Sequence, residues 1–171
     1  MKIFSRQYFD RLVIEADSSP RLRAHINVHD SYDEPSQKLF NAITINSYIC
    51  PHRHSLDPKA ECLLAVSGLL SLVTFSDEGM VSSVILFGSE KYSQTYSIAS
   101  GLELPSGVWH TVVSLIDNSV LFEVKDGPFD PIAAKELAPW APKEGSKEAP
   151  SYLTQLKNIS QSKLARLLQG C

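Results

Sequence analysis

The segment 49-ICPHRHSLDPKAECLLAVSG-68 places two histidines, a short polar loop and a glutamate at the head of an apolar run. In extended chain, side chains two apart leave from the same face. His52 and His54 therefore point one way, and Arg53 points the other, toward an ion pair. Paired imidazoles suit a borderline divalent metal ion, which takes neutral nitrogen donors. Glu61 opens the next strand after SLDPKA. If that strand pairs with the first through the loop, its carboxylate returns beside the two rings. There it neutralises charge and leaves coordination positions open. A further donor lies in 104-LPSGVWHTVV-113, where Pro105, Gly107 and His110 form the pattern PxGxxH. The Pro-Ser-Gly turn reverses the chain and delivers His110 onto a strand, completing a set of three histidines and one glutamate.

The chain outward from these segments is that of one ordinary domain. Its 171 residues are enough to bury a core. A hydrophobic content of 43% with 20% charged residues excludes a disordered chain. The formal charge of -3, with no block of like charges, argues against nucleic acid or an anionic membrane as partner. No apolar run reaches the roughly 18 residues of a membrane span, and no secretory h-region is expected in the first residues. Cys50, Cys62 and Cys171 are odd in number and form no CxxC pair, so they read as reduced thiols of a cytoplasmic protein.

SRQYFDRLVIEADSS (5–19) reads as a helix capped by Ser5, with Phe9, Leu12 and Val13 on one face and Pro20 beyond its end. Short β-type runs follow: AHINV (24–28), KLFNAIT (38–44), SYICPHRH (47–54), ECLLAVSG (61–68), LLSLVTFS (69–76), VSSVILFG (81–88), YSQTYSI (92–98), GLELPSG (101–107), WHTVVSLI (109–116) and SVLFEV (119–124). Close spacing with turn residues between them predicts an antiparallel sandwich or barrel. Residues 126–150 are Pro-rich and resist continuing a sheet, while Phe129, Leu137 and Trp140 tie them to the body. SYLTQLKNISQSKLARLL (151–168) is an amphipathic helix with Leu153, Leu156, Ile159, Leu164, Leu167 and Leu168 along its stripe. The expected organisation is a helical segment over 1–23, a barrel over 24–125, and an arm with a helix over 126–171, all one structural domain.

HRHSLDPKAECLLAVSG resembles the first cupin motif, HxH followed by a glutamate and then a glycine seven residues later. GLELPSGVWHTVVS resembles the second, PxGxxH. The gap before Glu61 is longer than in most cupins, and Ser114 stands where asparagine is common. The resemblance implies a mainly β fold, a double-sheet jelly-roll barrel, with metal ligation by His52, His54, Glu61 and His110. NAITINSYICPHRH (41–54), WHTVVSLIDNSVLFEVKDGPFDP (109–131) and KELAPWAPKEG (135–145) look like the WbuC-type cupin metalloproteins of bacteria, often encoded with polysaccharide genes. This likeness implies one divalent transition metal per chain (Fe, Ni, Zn, Mn or Co). It also implies a small oxygen-rich ligand: a sugar, a sugar nucleotide or an oxo-acid. Both an enzyme, of isomerase, epimerase or non-haem dioxygenase type, and a non-catalytic ligand-binding module are compatible with it. Cupins commonly associate through a sheet edge, so a homodimer is expected.

Several other residues are candidates beside an ordinary structural role. Gln37 and Asn41 can share an inward strand face, and Tyr48 can share the face of Cys50 and His52; each is a candidate ligand contact or a packed, bonded polar group. His29 either lines the pocket mouth or is a bonded edge residue. Cys50 is a thiol near the metal or a small buried hydrophobe. Glu123 is a carboxylate supporting a metal histidine or an exposed strand residue. Trp109 and Trp140 are expected to pack.

Overall fold

The computed structural model describes residues 1–169. Cys171 lies outside the described residues. In chain order the elements are α1 (Arg6–Ser18), β1 (Arg23–Asn27), β2 (Ser36–Ile43), β3 (His52–Arg53), β4 (Glu61–Ser67), β5 (Leu69–Phe75), β6 (Val81–Gly88), α2 (Glu90–Tyr96), β7 (Gly101–Leu104), β8 (Trp109–Ser114), β9 (Ser119–Asp126), β10 (Glu136–Leu137) and α3 (Ala149–Gln169). They build two five-stranded antiparallel sheets, in the orders β1-β2-β9-β4-β7 and β10-β3-β8-β5-β6.

The alternation of each strand sorts its side chains into three cores. Between the sheets lie Ile43, Leu63, Leu70, Leu72, Val112 and Leu121. Beneath α1, on the outer face of the first sheet, lie Leu12, Ala16, Phe40, Ala42 and Val120. Beneath α3, on the outer face of the second, lie Leu69, Val73, Trp109, Val113, Leu153 and Leu156. The second sheet is thus covered on both sides, which is why β5 and β8 are apolar or small at almost every position. Ser5 caps α1 as expected, its Oγ accepting the Tyr8 N–H at 3.3 Å.

Four expectations about the elements themselves are corrected. YSQTYSI is not a strand: residues 90–96 form α2. Tyr92 and Tyr96 stack, and Gln94 donates to Glu90, both across one helical turn. A spacing of four satisfies strand alternation and the helical period alike, so periodicity alone could not separate them. SYICPHRH contributes only His52 and Arg53 to a ladder, because Pro51 has no N–H to give. The arm does enter a sheet: Glu136 and Leu137 lie opposite Arg53 and His52. On α3, Ile159 and Leu168 are exposed, and Ser160 takes the buried place, hydrogen-bonded to Ser71 at 2.9 Å.

The strands carrying His52 and Glu61 do not pair. β3 belongs to the second sheet and β4 to the first, so Glu61 reaches the histidines across the barrel and not along a hairpin. β4 leads directly into β5 and so changes sheets at Gly68. Gly68 has φ of +88°, and a Cβ there would lie 2.6 Å from the Ser119 Cα. Gly107, in the turn before His110, has φ of +78° but open space around it. Gly68→Ala should therefore cost the φ strain plus a backbone collision, about 3 kcal/mol or more, and Gly107→Ala about 1 kcal/mol. Urea denaturation of the two variants checks the order; equal losses would contradict it.

Candidate metal centre

Three strand positions set the centre. His52 on β3 lies directly opposite His110 on β8, and their ring centroids are 4.4 Å apart. His54, two residues on, projects from the same face, 5.2 Å from His52 and 5.6 Å from His110. Each ring can offer a nitrogen, and these nitrogens lie within 4.8 Å of one another. Glu61, at the start of β4, approaches from the facing sheet. Its Oε2 is 3.2 Å from His54 Nε2 and 3.8 Å from His110 Nε2, while Oε1 accepts from Lys125 Nζ at 3.3 Å. Lys125 is the partner of Glu61 in the β4–β9 register. Arg53 points away, as expected, onto Glu136 and over the Trp109 ring.

The main chain fixes all three rings in one tautomer. His52 Nδ1 donates to the Cys50 carbonyl at 3.0 Å and His110 Nδ1 to that of Val108 at 2.9 Å, while His54 Nδ1 donates to the carbonyl of Ala134 on the arm. A carbonyl only accepts, so each Nδ1 carries the hydrogen and each neutral ring keeps a lone pair on Nε2. His54 Nε2 is buried and has no hydrogen-bond partner. It faces a carboxylate oxygen, and two acceptors so close need a cation, either a proton on the ring or a metal ion. The donors fit a divalent transition metal: neutral imidazoles held through their other nitrogen, with one carboxylate beside them.

Electrostatics follow the same geometry. Burial holds His52 well below the usual imidazole range, with His110 adding to the effect. Burial likewise lowers His110. Burial pushes the Glu61 carboxyl up, but His54, Lys125 and His110 outweigh it and hold it far below its ordinary value. The cavity beyond the centre is about 280 Å³, with an apolar floor that includes Ile49, Leu63, Val112 and Leu121.

A family model described as a domain of unknown function (DUF6016) matches residues 4–87. No curated protein matches the sequence. Among solved structures, protein SO0799 from Shewanella oneidensis is similar over 93% of this chain and 96% of its own, with 14% identity and a TM-score of 0.57. An uncharacterized conserved protein with a double-stranded β-helix domain from Klebsiella pneumoniae is similar over 81% of this chain and 97% of its own, with 16% identity and a TM-score of 0.53. This is the cupin fold. No helix among the described residues is long and apolar enough to cross a membrane.

The cupin barrel receives only part of the remaining candidate set. Asn41 lines the cavity, its Nδ2 donating to Glu123 Oε1 at 3.3 Å. Glu123 lines it too, but the histidine Nδ1 atoms bond to carbonyls and not to its carboxylate. Burial and the nearby Glu61 raise its carboxyl to about 7. Gln37 lies outside the cavity lining, and its Nε2 donates to the carbonyls of Ser31, Tyr32 and Glu34. His29 is likewise away from the cavity lining, with Nδ1 accepting the Lys38 N–H at 3.0 Å. Tyr48 sits in the outer core, its hydroxyl donating to the Pro142 carbonyl at 2.7 Å. The Cys50 side chain is a buried core group; what reaches the centre is its carbonyl. Sequence reasoning missed Lys125, Lys135 and the Ala134 carbonyl. Glu61 and Lys125 are 64 residues apart, and only strand register joins them.

The two lowered imidazoles set an acid limit for the metal-free chain. In the unfolded chain they protonate near pH 6.5, and in the folded chain only further down. The unfolded state therefore binds more protons as pH falls through 6.5, and stability drops. The melting temperature should fall between pH 7 and 5, and the double variant His52→Gln, His110→Gln should flatten that slope. An unchanged slope in the variant would contradict the assignment.

Proposed function

We propose that this chain is a metal-binding cupin that holds one divalent transition metal ion on His52, His54 and His110, with Glu61 as fourth donor. The ion is presented to a small oxygen-rich ligand in the barrel. The observation that carries this is the trio of Nδ1 bonds to carbonyls, which leaves an Nε2 lone pair on each of three rings whose donor nitrogens lie within 4.8 Å of one another. Fe, Ni, Zn, Mn and Co all accept such donors, and a bound ion would act as a Lewis acid toward ligand oxygens. The protein's own residues supply the rest. The β3–β8 register orients two rings. Lys125 holds one Glu61 oxygen so that the other faces His54. The apolar floor limits water. The likeness to WbuC-type proteins supports a sugar, sugar nucleotide or oxo-acid as ligand, met in the cytoplasm during polysaccharide metabolism. Glu123 favours turnover over simple binding, because a carboxyl on the cavity wall, held by Asn41, is placed to exchange a proton with a ligand. A non-catalytic ligand-binding module is the alternative. The proposal includes a homodimer through an open sheet edge: β6 is such an edge and exposes Val81 and Ile85.

Elemental analysis of protein purified without an affinity tag should give one metal per chain. His52→Ala and His110→Ala should each abolish that stoichiometry and leave a folded barrel by circular dichroism, while Gln37→Ala should retain it. Full occupancy in either histidine variant would overturn the site. Lys125→Gln should tighten metal binding several-fold, since it removes a like charge beside the ion; metal affinity unchanged in Glu61→Gln would count against Glu61 as donor. Light scattering at micromolar concentration should give twice the chain mass.

A further inference from the structure

The cavity that opens onto the histidines is small and cationic. At about 280 Å³ it lies at the lower end of ligand pockets, which run from about 300 to 1,000 Å³. A sugar nucleotide does not fit inside it. Four cationic side chains line it: Arg21, Arg23, Lys125 and Lys135. Three are committed. Arg21 and Arg23 both pair with Glu144, and Lys125 pairs with Glu61. Among the described residues, Lys135 alone of the four has no carboxylate at ion-pair distance.

The position of Lys135 is fixed by its neighbours. The carbonyl of Ala134, one residue before it, accepts from His54. Glu136, one residue after it, takes both Arg53 and the Ser55 hydroxyl. Leu137 lies opposite His52 in the β10–β3 register. Two residues back, just outside β10, Lys135 is exposed and lines the cavity mouth with His52 and His54. A flexible ammonium is thus brought by a pinned main chain to the wall of the metal cavity. With a divalent ion in place, the cavity holds excess positive charge that a neutral sugar does not balance.

We propose that the ligand is a small organic acid whose one end meets the metal centre while an anionic group of the same molecule binds Lys135. This rests on the metal-centre proposal above and narrows its ligand to the oxo-acid class. Lys135 acts as the ligand's counter-charge, and the arm that carries it also holds His54 in place. Anion capture and metal-site geometry therefore share one segment, residues 134–136.

The test is calorimetric titration of the metal-loaded chain, its metal content first measured, at neutral pH and low salt. The probes are malonate, inorganic phosphate, glucose and UDP-glucose. Malonate should bind, and glucose and UDP-glucose should not. Phosphate weaker than malonate identifies a carboxylate site; phosphate tighter than malonate overturns the organic acid in favour of a phosphorylated ligand. Lys135→Gln should weaken malonate about tenfold or more with metal content unchanged, and Lys135→Arg should restore binding. Malonate affinity equal in wild type and Lys135→Gln, no malonate binding at all, or glucose binding as well as malonate would overturn the proposal. A wild-type chain that holds no metal overturns the metal centre instead. The same titration on that chain then decides Lys135 separately: affinity lost in Lys135→Gln supports the anion site, and equal affinity ends it.

Discussion

The central strands of the second sheet, β5 and β8, are buried on both faces, against α3 on one side and against the first sheet on the other. A sheet so placed can carry polar side chains only where something satisfies them. β8 illustrates the constraint: Trp109, Thr111 and Val113 face α3, while His110, Val112 and Ser114 face inward. Ser114 is satisfied by Ser119 and the Ile116 carbonyl. Thr111 is satisfied by the Ile49 carbonyl. His110 is satisfied on one nitrogen only, and its other nitrogen looks into the barrel toward Glu61. The buried imidazoles and the carboxylate opposite them are the place where the apolar logic of the barrel is interrupted.

That interruption is held by main chain more than by side chains. The carbonyls of Cys50, Val108 and Ala134 orient the three rings, and two of these carbonyls lie two residues before the ring they serve. Those bonds are local and depend on the turn geometry at Pro51 and at Gly107. The third is not local: it comes from the arm, which reaches back as β10 to pair with β3 and is locked there by Glu136 on Arg53. The arm therefore closes the second sheet, fixes His54 and places Lys135 in the cavity wall. Replacement of the Arg53–Glu136 pair would disturb all three together, although neither residue faces the cavity.

The centre also depends on the meeting of the two sheets. Glu61 stands on β4, in register with Lys125 on β9, and both belong to the sheet that faces the histidines. Its carboxylate is divided between Lys125 and two rings, so Lys125 sets how much of its charge is available to a metal. Glu123 and Asn41, bonded to each other on the same inward face, add a titratable group without touching the ring nitrogens bonded to carbonyls.

The local patterns in the chain were sufficient for most of the elements and for the identity of the candidate donors. HxH, PxGxxH and the glutamate before an apolar run name four side chains by type and spacing, and alternation alone puts Arg53 on the opposite face from its neighbours. The helix capped by Ser5 and the amphipathic tail were legible for the same reason: their signals are confined to a few adjacent residues. YSQTYSI was ambiguous because a four-residue spacing serves strand and helix equally. The fates of Gln37, His29 and Tyr48 were not legible, since each is decided by a partner that composition does not specify: a turn carbonyl, the Lys38 N–H, the Pro142 carbonyl. What only the tertiary structure decided is which groups from distant segments share the cavity: Glu61 across the sheets and not along a hairpin, Lys125 by register, Ala134 and Lys135 by the return of the arm. Sequence fixes short-range geometry through the backbone's few allowed conformations, whereas those meetings are set by how whole sheets pack.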